Sequence, residues 1–178
     1  MVRVRQCGGD VVRILTVRQP WAWAIIHGGK DVENRVRNIA GDYRGPVAIH
    51  VAMADAEGAP ENIWLEYADF YRNKHGLRPS EFSWRDTERG HIIGVVELVA
   101  VHASKLSASE SFLGAPVCFD SITPTGNLCS VWAEPNHHHL ILDAARALAE
   151  PIPYRGALGL RTLPDDTANS VMTGVIND

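Results

Sequence analysis

Apolar and polar positions along this chain alternate between two periods. Residues 14–17, apolar but for Thr16, read as a short strand. After Pro20, the residues Trp21, Ala24 and Ile25 recur at helical spacing, and Ala22 and Ile26 make the helix apolar nearly all round. Such a helix belongs in the interior. Pro20 suits its first turn, and Gly28-Gly29 ends it. Residues 31–36 read as a strand and 38–45 as a turn region. In 46–52, Val47, Ile49 and Val51 point one way while Ala48, His50 and Ala52 point the other. Residues 55–76 carry a second helix, marked by Ile63, Tyr67, Phe70 and Tyr71, with Pro60 near its start. Residues 91–102 are apolar on both faces, as in the centre of a sheet, and Gly94 marks a bend or a close backbone approach. Residues 138–142 and 157–161 read as the last strands. No period holds between 103 and 135, and the polar stretch after Leu163 predicts a loose tail.

Several strands with two separately placed helices predict an α+β fold rather than an alternating parallel sheet. A length of 178 residues suits one domain. We divide it into an extension at 1–11, a domain at 12–163 and a tail at 164–178. With 46% hydrophobic and 21% charged residues, neither disorder nor a fibrous structure describes the whole chain. The formal charge of −4 argues against a broad phosphate-tracking surface and for a local pocket. No stretch reads as a signal peptide or a membrane span. Three cysteines, Cys7, Cys118 and Cys129, lack framework spacing, so a reducing cytoplasm is expected.

The segment 15–35 reads LTVRQPWAWAIIHGGKDVENR. Its Gln19-Pro20-Trp21, followed by Gly28 or Gly29, Lys30, Glu33 and Arg35, resembles the ASCH family of the PUA-like group. Tyr43-Arg44-Gly45-Pro46, Ile49-His50, the stretch Ile93 to Leu98, and Pro153-Tyr154-Arg155-Gly156 through Leu160 continue the resemblance in register. Arg161 departs from it, standing where the family often has tryptophan, and 103–130 carries no family pattern. The resemblance implies a PUA-like curved mixed β-barrel flanked by helices, with a cleft between barrel and helix. It also implies RNA as a partner. One branch of the family removes acyl groups from modified cytidine with a lysine, a threonine and a carboxylate.

The candidate site residues are Gln19, Trp23, Lys30, Glu33, Arg35 and His50. Glu33 and Arg35 share one face of a strand. Lys30, read as an exposed residue at a turn, can swing over that face. Arg35 offers a planar fork for phosphate or a base edge; a surface salt bridge is the plainer reading. Gln19 could read a base edge beside the helix start. Trp21 and Trp23 cannot face the same way, and we expect Trp21 in the core and Trp23 against a base. His50 sits between small neighbours and could touch a ligand, or it could bond a backbone carbonyl. Glu97, on a buried strand, calls for an arginine partner. Cys118, Cys129 and His137 to His139 lack the spacing of a short knuckle, and adjacent histidines on a strand point apart. Two cysteines and one or two histidines remain geometrically open, but we expect no metal and no cofactor.

The expected function is binding of single-stranded RNA or a nucleotide, with DNA as the alternative partner and no membrane contact. Oligomeric state and turnover are left open. A second reading is a hydrolase, either an amidohydrolase on a modified nucleoside or a ribonuclease, with Lys30 and Glu33 as the catalytic pair. Glu33 stands where the acyl-removing branch places its hydroxyl, so water would have to attack. Cationic neighbours weaken Glu33 as the base for that step. A third reading is a protein-interaction domain with no ligand.

Overall fold

The computed structural model describes residues 11–84, 87–106, 116–120, 123–124 and 127–176. The expected extension, apart from Val11, lies outside them, as does Cys7. Among the described residues the order is β1 (Arg13–Val17), α1 (Trp21–His27), β2 (Val32–Arg35), β3 (Gly45–Val51), α2 (Glu61–His75), β4 (His91–Leu106), β5 (Pro116–Asp120), β6 (Thr123–Pro124), β7 (His138–Pro153), β8 (Leu160–Thr162) and α3 (Asp165–Gly174).

The eight strands form one mixed sheet in the order β2-β7-β4-β3-β1-β8, with β5 and β6 continuing from β4. Among the described strands only β1 and β3 run parallel. The strand β4 pairs with β7 along one edge, and shares its other edge between β3 and β5. Register shifts at Ile92/Gly94, Val95/Glu97 and Leu98/Ala100 mark bulges in this long pair, which bend and twist a sheet. Gly94 lies at the first of them. A Cβ there would sit 2.6 Å from the Arg146 carbonyl oxygen and 2.6 Å from Ile26 Cδ1, so the close approach read from the sequence is real.

The sheet does not close, which corrects the barrel expectation. Its ends, β2 and β8, are short and, among the described residues, pair only with β7 and β1 respectively. Across the seam a side chain takes the place of a ladder: Arg35 of β2 donates from Nη2 to the Thr16 carbonyl of β1 at 3.1 Å.

Both faces of the sheet are covered. Val47, Ile49 and Val51 pack with Leu15, Val96 and Leu98 against Ile25 and Ile26 of α1. The opposite face sets Ala48, Ile92, Val95 and Ile14 against Ala168 and Val171 of α3. Residues read as a loose tail are therefore a docked helix, because its two apolar positions, three apart, fall on one face. The helix α2 stacks outside α1, placing Tyr67 and Phe70 5.7 and 5.9 Å from the Trp23 ring. Sheet on one side and α2 on the other explain why α1 is apolar nearly all round. Glu97 finds the expected arginine, Arg146, at 3.6 Å, although both are only half-buried.

Candidate functional site

Where the sheet stays open, a cleft of about 900 Å³ is left. Thr16 and Val17 come from the end of β1, Glu33, Asn34 and Arg35 from β2, and His50 from the end of β3. A register shift between Ile49 and His50 ends the regular alternation of β3 at this point. Ala48 accordingly stays in the core while His50 and Ala52 reach the cleft. The far wall is the segment 154–159. It was read as part of the last strand, but regular pairing begins only at Leu160.

Three bonds fix that wall. The Tyr154 N–H donates to the Gly90 carbonyl at 2.9 Å, and the Ala157 N–H donates to Thr16 Oγ1 at 3.3 Å. His50 Nε2 lies 3.0 Å from the Tyr154 carbonyl oxygen and donates to it. That bond places the proton on Nε2 and leaves Nδ1 as a bare acceptor with no hydrogen-bond partner. Burial lowers the His50 pKa from the ordinary histidine value, opposed by the Tyr154 bond. His50 bonds a backbone carbonyl, one of its two sequence readings, and it also lines the cleft. Gly156 lies against this ring: a Cβ there would be 2.5 Å from His50 Cε1 and 2.8 Å from Thr16 Oγ1.

Glu33 and Arg35 share a face as expected and form an ion pair at 2.9 Å. The Glu33 side chain is largely buried and that of Arg35 about a third exposed, so this is a cleft pair rather than a surface ladder. The cleft lining holds three arginines, Arg18, Arg35 and Arg155, against two glutamates, Glu33 and Glu57. The local balance is therefore cationic in a chain whose net charge is −4.

Lys30 is not the exposed turn residue expected. It is 5% exposed, and its Nζ donates to the Val32 carbonyl. The ammonium lies 5.5 Å from the Trp21 ring centre and 5.7 Å from that of Trp132, within cation–π range of both. Burial pulls its pKa below the ordinary lysine value, against Glu33, Glu134 and Asp31. Lys30 lines a neighbouring hollow of about 120 Å³ with Trp21, Glu33, Asn34, Trp132 and Glu134. Trp21, Glu33 and Asn34 belong to both spaces.

The two tryptophans of the motif exchange their expected positions. Trp23 is buried between α1 and α2, whereas Trp21 is half-buried and lines the cleft. Gln19 is fully buried and lines neither space. Its Oε1 accepts from the Trp23 N–H at 2.9 Å, and its Nε2 donates to the Tyr67 hydroxyl at 3.1 Å. It satisfies an N–H that a helix start leaves open, and ties α1 to α2.

A family model for the ASCH domain matches residues 15–144. The chain belongs to the ASCH domain family. That family is generally associated with RNA binding. The matched span of this ASCH domain runs from β1 into β7, so it contains most of the cleft but not the wall at 154–159. Arg18, Trp21, Tyr154, Arg155 and Gly156 are cleft residues that the sequence reading did not select. Two signals pointed to them: Arg18 and Trp21 flank Gln19-Pro20, and Tyr154-Arg155-Gly156 was read only for its strand character.

Proposed function

We propose that this chain binds single-stranded RNA, or a nucleotide, in the cleft at the open seam of the sheet, with DNA as the alternative partner. The observation that most supports this reading is the cationic lining of Arg18, Arg35 and Arg155 beside the half-buried Trp21. In this reading Trp21 stacks on an unpaired base, as proteins reading single strands do. Arg35, held by Glu33 and the Thr16 carbonyl, presents the rest of its fork to phosphate or a base edge. Arg18 and Arg155 are exposed at the rim and supply charge to the backbone. The volume falls in the range of small-ligand sites, about 300–1,000 Å³.

Fluorescence anisotropy with a labelled short RNA strand, and with duplex DNA of equal length, at two salt concentrations tests the reading. We expect the RNA to bind more tightly, and Trp21→Ala to cost about 1–3 kcal/mol for a stacked base. Equal affinities with a steep salt slope would instead mean backbone tracking by surface charge.

Hydrolysis is the second reading, and it rests on Lys30 and Glu33 lining the same hollow. Incubation with N4-acetylcytidine or a short RNA, followed by chromatography, tests it. Turnover that disappears in Glu33→Gln would favour it over simple binding. An open cleft weighs against a purely protein-binding role.

A further inference from the structure

Away from the cleft, four side chains converge on the sheet where β4 lies between β5 and β7. His102 stands opposite His139 in the β4–β7 ladder, and Ser104 stands opposite Cys118 in the β4–β5 ladder. Residues two apart on a strand share a face, so His102, His139 and Cys118 project from three adjacent strands to one side. Cys129 joins them from the loop between β6 and β7. One potential ligand atom from each lies within 4.8 Å of every other. His139 Nδ1 is 3.3 Å from Cys118 Sγ and 3.3 Å from Cys129 Sγ. In a tetrahedral zinc site, metal–ligand distances of about 2.3 Å to sulfur and 2.0–2.1 Å to nitrogen set N···S separations of about 3.5 Å.

The surroundings are those of a ligand set. The second ring nitrogen of His139, Nε2, donates to the Glu134 carbonyl at 2.8 Å, which orients the ring and turns the Nδ1 lone pair towards both sulfurs. The Cys129 N–H donates to Cys118 Sγ at 3.2 Å, which fixes the two sulfurs side by side. The two cysteines are not joined in a disulfide. One nitrogen lone pair facing two sulfurs is a geometry that a shared cation explains.

We propose that His102, Cys118, Cys129 and His139 bind a structural Zn²⁺ ion. Two thiolates and two imidazoles suit zinc and disfavour the hard cations. Four protein ligands close the coordination sphere, so the role is structural rather than catalytic. The ion fastens β5 and the loop 127–137 onto β4 and β7. That loop also reaches the hollow beside the cleft. The Trp132 ring lies edge-on to Trp21 at 6.2 Å, the Asn34 amide donates to the Trp132 carbonyl at 2.8 Å, and the Glu134 N–H donates to Asn34 Oδ1 at 3.0 Å. Zinc therefore holds in place the chain that contributes Trp132. This assignment does not depend on RNA binding.

The test uses untagged full chain, purified reduced and without chelator, loaded with Zn²⁺ and dialysed against metal-free buffer. Elemental analysis should find about one zinc per chain in the native sequence and less than about a tenth of that in Cys118→Ser/Cys129→Ser. Cobalt substitution reads the site without any variant. Intense visible ligand-field bands with a thiolate-to-cobalt charge-transfer band are expected from a tetrahedral mixed sulfur–nitrogen site. His102→Ala should weaken and shift those bands. Folded native chain that retains no zinc would overturn the proposal. A weak octahedral cobalt spectrum, or zinc retained in full by a folded double variant, would do the same.

Discussion

Lys30 carries its ammonium into a space closed by two indole rings, Trp21 and Trp132. A motif places the residue in sequence, but the indoles arrive from α1 and from a loop about a hundred positions downstream. For a turn lysine in solvent, truncation would be nearly neutral. Here it removes a buried donor from the Val32 carbonyl and leaves both rings without the side chain between them. Lys30→Ala should therefore destabilise the fold by about 1–3 kcal/mol in urea unfolding. An unchanged midpoint together with lost RNA affinity would return Lys30 to the role of a ligand contact. Gln19 teaches the same lesson. An amide beside a helix start looks available to a ligand, yet both ends are already bonded inside the protein.

At the scale of elements, the wall 154–159 is positioned by contacts with β1, β3 and the Gly90 carbonyl, and most of it lies outside regular strand pairing. Gly156 is the tightest of these contacts, since a side chain there meets His50 and Thr16. Gly156→Ala should push the wall outward, cost about 1–3 kcal/mol as overpacking does, and weaken RNA binding. Parallel unfolding and anisotropy titrations check it. Native affinity in a destabilised variant would show that the wall takes no part in binding.

Over the whole molecule, the covered sheet leaves His50 in dry surroundings. Burial lowers the pKa of His50, which faces His91 and the Tyr154 carbonyl. Above the ordinary value of 6.5 His50 is neutral, folded or unfolded, and the stability it supports is complete. As pH falls below 6.5, the unfolded chain takes up a proton that folded His50 resists, and stability declines until its folded value is passed. Urea unfolding at a series of pH values should show this loss, and His50→Gln should flatten it. A variant with the native pH slope would remove His50 from the account.

Local patterning alone determined much of this protein. The period of the apolar positions located the two main helices and the central strand, and put Glu33 and Arg35 on one face, because side-chain direction follows from the backbone geometry of each element. The unbroken apolar surface of α1 required cover on both sides, which the sheet and α2 provide. Periodicity carries no information about which distant elements meet. Trp21 and Trp23 are equivalent as hydrophobic residues, and only the placement of α2 decided which was buried. The open seam depends on how far β2 and β8 extend, and so does the cleft. The Cys118–Cys129–His139 cluster with His102 arises from strand register across a segment with no readable period, where ligand spacing in sequence bears no relation to distance in space.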